Sequence, residues 1–376
     1  MKYGRLLIIS HTEHHLRDGQ PVGWGPTVRE INHLLALFDE ITHVAVLYPG
    51  QAPPSALPYA SDKIRFVPLR PYGGPRVRDK LGIIRHMPET IRIVRQELRQ
   101  AEVFQFRAPT GMGVYLIPWL QANARIPGWF KYAGNWMQPH APLGYRIQKH
   151  WLTRSAKHKV TINGRWPGQP EHCLSFENPC LNEAEREAGA GAIARKTYQP
   201  PYTCCFVGRL EDAKGVGRIL EALKHTEPGL IQAVHLVGDG PKRSAYEAAA
   251  KQLNIPVVFH GFLDRDQVSR VYTESHFILL PSDSEGFPKV LAEAMNYGCL
   301  PVSSNVSSIP HYIAHGENGF LWDVNGQDFT KLLNEVLNAL TACDAGAMVQ
   351  KARETSGGFT FAHYQRRIQQ DILNPT

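Results

Sequence analysis

The sequence predicts an α/β protein of two doubly wound, Rossmann-like domains facing each other across a deep cleft, on three observations. Its 376 residues exceed the roughly 250–300 at which a single core stops growing. Apolar runs of strand length alternate with stretches of helical periodicity, as in parallel sheets covered by helices. The alternation breaks once, in a Pro- and turn-rich passage from Pro167 to Pro179 followed by a polar helical stretch and Gln199-Pro-Pro201, and then restarts. The first domain is expected over 1–180 and the second over 181–357, with a C-terminal helix at about 358–376 crossing back to the first.

In order, strands are expected over 6–10, 43–48, 63–68, 101–106 and 159–163. Between them lie a helix over 27–38 and an amphipathic basic helix within 70–99. After the break come a polar helical stretch over 181–196 and strands over 203–208, 233–238, 257–261, 277–281 and 301–304. Helices over 216–224, 241–253, 267–275 and 329–340 alternate with these strands. Another helix follows Gly286, carried by Val290, Leu291, Ala294 and Met295 at helical spacing and stopped by Gly298.

The composition, 43% hydrophobic and 20% charged, is that of a globular chain. No run approaches the roughly 20 apolar residues of a membrane span, and the N-terminal apolar run reads as a first buried strand rather than a leader. Six cysteines without a Cys-x-x-Cys pair suit a reduced, cytoplasmic protein with buried thiols. The net charge of +7 is uneven: 23 Lys and Arg against 12 Asp and Glu in residues 1–180 give +11, and 18 against 22 in the remainder give −4. Arg70, Arg76, Arg78, Lys80, Arg85, Arg92, Arg95 and Arg99 concentrate that charge beside an apolar stripe of Ile83, Ile84, Met87, Ile91, Val94 and Leu98. Two readings stay open, a solvated helix face and a face for an anionic membrane surface or lipid diphosphate. Nucleic acid is not expected, because no recognition motif accompanies the charge.

The most informative residues are Glu285 and Glu293. A strand over 277–281 delivers Glu285 to the loop where its carboxyl end meets a helix, and Glu293 lies about two turns down that helix. Ligands of open parallel sheets bind outside the carboxyl ends of the strands. The helix N-terminus there offers unpaired N–H groups to a phosphate, and the two carboxylates accept hydrogen bonds from hydroxyls on either side. A nucleotide-sugar has that layout. At the start of the second domain, Gly208 and Arg209 follow a strand and Lys214-Gly215 enter a helix. This arrangement supplies a fork and a point charge for phosphate oxygens, or else two surface cations on a structural loop. Leu236-Val-Gly-Asp-Gly-Pro241 reads as a tight turn before a helix.

In order and spacing, Gly208-Arg-Leu…Lys214-Gly, Val237-Gly-Asp-Gly-Pro, His260-Gly-Phe-Leu, Pro281-Ser-Asp-Ser-Glu-Gly-Phe-Pro…Glu293-Ala-Met and His315-Gly-Glu-Asn-Gly-Phe-Leu resemble the donor domain of retaining glycosyltransferases of family 4, which have the GT-B fold. The resemblance covers about residues 202–325. It implies a metal-independent hexosyltransferase with a UDP- or GDP-linked sugar as donor substrate and no cofactor. Arg209, Lys214 and Glu285 would be catalytic. Donor binding would draw on Gly208, Arg209, Lys214, Phe262, Leu263, Glu285, Gly286, Phe287, Lys289, Val290 and Glu293, with Glu285 on the sugar and Glu293 on the ribose. The acceptor would be a saccharide, lipid-linked as in surface-polysaccharide or lipopolysaccharide assembly, reached at the cytoplasmic face of the membrane.

The first domain resembles the family more loosely. Gly23-Trp24-Gly25 matches a glycine-rich acceptor and phosphate loop after the first strand. Arg107 stands where relatives often carry a histidine, so no catalytic histidine is carried over, and Arg107 is read as a contact for an anionic acceptor or donor phosphate. Asp264-Arg-Asp266 has the form of a metal motif but is read as a helix cap. His11, His14 and His15 are read as a polar loop, with acceptor contact preferred to a metal site. The aromatic stretch 128–136 fits core packing, sugar stacking or a membrane interface. Two rival classes are a non-catalytic nucleotide-sugar-binding subunit and a GT-B epimerase or phosphorylase-like enzyme.

Overall fold

The computed structural model describes residues 2–72, 77–340 and 342–374, without the side chains of 77–81, 84, 342 and 343. Arg76 and the side chains of Arg78, Lys80, Ile84 and Cys343 thus lie outside the described residues. The chain divides into one unit of residues Met1–Asn178 with Phe361–Thr376 and a second of Pro179–Thr360. The divisions fall two to three residues from the expected 180/181 and 357/358.

The first unit carries β1 (Tyr3–Arg17), β2 (Gln20–Trp24), β3 (Phe38–Leu47), β4 (Ala56–Pro58), β5 (Ile64–Leu69), β6 (Val103–Ala108), β7 (Gly128–Tyr132), β8 (Lys159–Ile162) and β9 (Cys173–Ser175). Seven of these form a parallel sheet in the order β5-β3-β1-β6-β7-β8-β9, and β2 and β4 add an antiparallel extension to β1. The order reverses direction between β1 and β6. β1 leaves β6 after Ile9 and, past a bulge between Ile9 and Glu13, still pairs with β3 through Glu13 and His14 while running on to Arg17 and returning as β2.

That bulge corrects two expectations. Residues 11–15 are strand, not loop, and Gly23 and Trp24 end β2 rather than forming an open loop. The helix that follows is Gly25–Leu34, and Phe38, expected at its end, begins β3.

The aromatic stretch resolves as core. Trp129 and Phe130 are fully buried in β7, as parallel strands covered on both faces require. The basic helix, Val77–Leu98, turns Ile91, Val94 and Leu98 to the core and leaves Arg92, Arg95 and Arg99 exposed, with Arg95 over the Trp119 ring at 5.7 Å. The part of the apolar stripe over Ile91, Val94 and Leu98 is therefore a packing face. Helices at Gly113–Asn123, Leu143–Arg154 and Ala342–Gly357 had no sequence expectation. The C-terminal residues Phe361–Leu373 are helical and place Tyr364, Ile368 and Ile372 in the core around Leu6, Ile8 and Trp129.

The second unit holds β10 (Tyr202–Val207), β11 (Ile231–Val237), β12 (Val257–Gly261), β13 (Phe277–Leu280), β14 (Leu300–Ser304) and β15 (Phe320–Trp322), all parallel. Their order is β12-β11-β10-β13-β14-β15. Numbered within the unit this is 3-2-1-4-5-6, the doubly wound order, with its switch point between β10 and β13. Cys173, Cys180, Cys204, Cys205 and Cys299 are free and buried.

Candidate active site

In the second unit, the loops leaving β10 and β13 are laced together at the switch point. After β10 the chain passes Gly208 and Arg209, makes a short 3-10 turn over Asp212–Lys214, and reaches Gly215 in the left-handed region with φ 80°. A Cβ there would stand 2.0 Å from the Pro281 carbonyl oxygen, so only glycine lets the two loops approach. The Asp283 amide donates to Ala213 O (2.9 Å), and Arg218 donates to Pro281 O (3.0 Å) and to Asp283 Oδ1 (2.6 Å). Ser304 and Ser308 hydroxyls hold the far side, donating to Ser282 O and Gly286 O.

This lacing brings together two of the residues read from sequence. Lys214 Nζ lies 2.6 Å from Glu285 Oε1, with the lysine 27% and the glutamate 9% exposed. The pair sits where β13 ends and the helix Lys289–Asn296 is about to begin. The first N–H groups of that helix lack intrahelical acceptors by helix geometry. Arg209 stands farther out, 66% exposed and 3.2 Å from Glu211. The Phe287 ring is buried, stacked on Phe359 at 4.5 Å and edge-on to Tyr312, so it anchors the loop whose backbone N–H was the expected contact. Leu263 and Val290 pack on the same core, whereas Phe262 is exposed beyond β12.

Glu293 is not a bare carboxylate. Arg265 Nη1 donates to it at 2.8 Å and the Tyr272 hydroxyl at 3.4 Å. Arg265 also donates to Glu185 and, at 2.5 Å, to Cys180 O. Burial alone would lower the pKa of this guanidinium, but Glu293 and Glu185 outweigh it and raise it. A fully charged fork thus fixes the carboxylate in one orientation. Sequence reasoning missed Arg265, Glu185 and Tyr272. The signal was present in Asp264-Arg-Asp266, whose outer residue Asp264 does cap its helix through Gln267 N (2.8 Å) with a reciprocal bond from Asp264 N (3.0 Å). The middle residue carries the site.

The turn after β11 supports the site without lining it. Gly238, at φ 122°, leaves room for Gly208 O, which a Cβ would meet at 2.0 Å, and Leu210 N donates to Asp239 O. Among the described residues, no group of three or more His, Cys, Asp or Glu is placed to hold a metal ion.

The first unit's switch point is arranged differently, which corrects the reading of Arg107. Its Nη1 and Nη2 both lie 3.3 Å from Glu30, and Lys131 Nζ lies 2.5 Å from the same carboxylate. Tyr364 of the C-terminal helix donates to Glu30 at 3.2 Å. Glu30 is 1% exposed, and Arg107 is committed to it rather than presented to a phosphate. Gly23 packs against the His14 ring, and Trp24 projects with 57% of its area exposed.

A doubly wound parallel unit with a cation–carboxylate pair at its switch point and a helix N-terminus beside it has the frame of a nucleotide-binding domain. Residues 194–354 match the family described as glycosyl transferases group 1. Two curated relatives match over part of the chain. One is a 41.2 kDa protein of the cps region of Klebsiella pneumoniae, 30% identical over 136 residues, 36% of each chain. The other is the lipopolysaccharide 1,6-galactosyltransferase of Salmonella typhimurium, 34% identical over 146 residues, 37% of this chain and 40% of the relative. The matches thus span little more than a third of these relatives. Among solved structures, Anabaena Alr3699/HepE in complex with UDP superposes at a TM-score of 0.68 with 16% identity over 100% of both chains. The GT-B fold expected from the sequence is the fold of this chain.

Proposed function

We propose that the chain is a retaining, metal-independent glycosyltransferase that moves a sugar from a nucleotide-sugar to an acceptor hydroxyl. The observation that carries this is the Lys214–Glu285 pair, 2.6 Å apart at the switch point of the second unit. In the donor complex, Lys214, Arg209 and the N-terminus of helix Lys289–Asn296 face the diphosphate. They stabilise the charge that grows on it as the bond from the anomeric carbon to phosphate oxygen breaks. Glu285 accepts hydrogen bonds from donor-sugar hydroxyls, and Glu293, oriented by Arg265, accepts from the ribose. The acceptor oxygen bonds to the anomeric carbon on the same face, and its proton passes to the departing phosphate oxygen, so no separate base is required.

HepE is solved with UDP, which makes UDP-sugars the first donors to test. A saccharide acceptor linked to lipid is supported by the relative named for lipopolysaccharide and by the surface of the first unit. At the carboxyl ends of β6 and β7, Val114, Met137 and Leu143 are exposed large apolar residues, and Val114 lies beside Gly144. Exposed Arg92, Arg95, Arg146 and Arg154 belong to helices of the same unit, and exposed Arg99 follows the first of them. Apolar tips with surrounding cations suit peripheral contact with an anionic bilayer. No helix among the described residues is long and apolar enough to cross a membrane.

Thermal shift against a panel of UDP- and GDP-sugars, followed by nucleotide release with saccharide acceptors, tests the reading. A stabilising donor and acceptor-dependent release are expected, and Lys214→Ala should lower kcat by about 10²-fold. If no nucleotide-sugar raises Tm, the transferase reading fails. Binding without release would instead identify a non-catalytic nucleotide-sugar binder. Release with altered, untransferred sugar would identify an epimerase-like enzyme.

A further inference from the structure

A closed ring of five hydrogen bonds lies at the β1 bulge of the first unit, and its direction follows from chemistry alone. The Thr12 carbonyl can only accept, so His14 Nδ1–H donates to it (2.9 Å) and His14 Nε2 is the bare nitrogen. The Tyr59 hydroxyl therefore donates to His14 Nε2 (2.8 Å) and accepts from His43 Nδ1–H (2.6 Å). His43 Nε2, bare in turn, accepts from Ser10 Oγ–H (2.7 Å), and Ser10 Oγ accepts from Thr12 N–H (3.1 Å). The ring begins and ends on Thr12. Ser10, His14 and His43 are fully buried, and His14 also stacks on Phe66 at 4.5 Å.

Such a ring fixes both tautomers and gives each imidazole nitrogen a partner within it, which favours one conformation of the bulge. Two outward residues are held by it directly. His11 stands between ring members Ser10 and Thr12 in the bulge, and partial desolvation together with the nearby Arg107 guanidinium lowers its pKa from the usual 6.5. Trp24 follows Gly23, whose missing side chain is what admits the ring's His14: a Cβ would lie 2.4 Å from Nε2. His11 lies just past the last β1–β6 pair, Ile9 with Phe106, and Trp24 ends the strand paired with β1 beyond the bulge, on the carboxyl side where an open parallel sheet binds its ligand.

We infer that the Ser10–His43–Tyr59–His14 ring is a positioning device for the acceptor. It sets the His11 ring to hydrogen-bond a saccharide hydroxyl and holds the Trp24 face for a sugar ring. The inference rests on the transferase reading and identifies the acceptor subsite as one for a neutral sugar ring rather than a phosphate, since Arg107 is already bound to Glu30.

Tyr59→Phe removes the central hydroxyl with little change of volume, and Trp24→Ala removes the stacking face. Each is expected to raise the acceptor KM about tenfold while donor KM stays within about twofold, and Trp24→Phe should recover most of the loss. Hydrogen exchange of free Tyr59→Phe should show faster exchange over residues 10–14 and 23–25, with the donor-induced thermal shift retained. Unchanged acceptor KM in both variants would overturn the inference, as would a donor KM that rises in parallel. Unchanged exchange would overturn the positioning role even if no transfer activity were found, and a missing donor shift in the wild type would count against the transferase reading alone.

Discussion

The two units share one sheet order and put charged groups at the same topological place, yet use them in opposite ways. In the second unit, Lys214 and Glu285 meet in an accessible pair beside a helix N-terminus, with Arg209 outside it. In the first, Arg107 and Lys131 converge on Glu30 beneath the C-terminal helix, and the cluster is closed to solvent. Charge at a switch point is thus within reach of a ligand only where packing leaves it open. Where a helix covers it, the same chemistry becomes a clamp.

The sharpest way to break this comparison is to neutralise the two carboxylates. Glu30→Gln leaves two buried cations without a counter-charge and should destabilise the first unit by about 3–5 kcal/mol in denaturant unfolding. Glu285→Gln, at a partly accessible pair, should cost less than about 1 kcal/mol while transfer activity falls. Equal stability costs would refute the distinction between clamp and site.

A smaller effect is expected from Arg265→Lys. The lysine keeps charge but loses the fork that serves Glu293, Glu185 and Cys180 O together. Donor affinity, read by titration calorimetry, should weaken about tenfold, with kcat changed less. An unaltered Kd would remove Glu293's orientation from the account.

The smallest effect concerns pH. Burial holds His14 down to about 4 from the usual 6.5, assisted by His15 and opposed by bonds to the Thr12 and Val46 backbone, and it lowers His43 with help from His14 and Arg107. The folded state therefore binds fewer protons than the unfolded chain between about pH 6.5 and 4, and stability falls as pH drops through that window. Melting curves from pH 7 to 4.5 should show this decline, shallower in His43→Asn. A flat profile would mean that the ring histidines are charged in the fold.

Much of the second unit was legible because its signals are local. Val216–Lys224 and Val257–Gly261 end where periodicity and glycine place them, and Glu285 follows β13 as the strand–turn–helix pattern requires. The first unit was less legible. The β1 bulge has no sequence signature, so the run His11 to His15 read as loop, and β7 carries aromatics whose burial depends on strands on either side of it.

By itself, then, the sequence determined the two-unit α/β plan and the place of Lys214, Glu285 and Glu293 in the strand–turn–helix units of the second, because strand and helix periods and short motifs are properties of neighbouring residues. Only the tertiary structure decided which charges are available. Arg107 and Arg209 look alike in the chain, but the first meets a buried glutamate 77 positions away and the second remains at the surface. Arg265's hold on Glu293, the ring through Ser10, His43, Tyr59 and His14, and the clamp of Tyr364 on Glu30 likewise join residues distant in sequence. No local pattern encodes which distant partner reaches a group first, and that partner determines whether the group is left for a ligand.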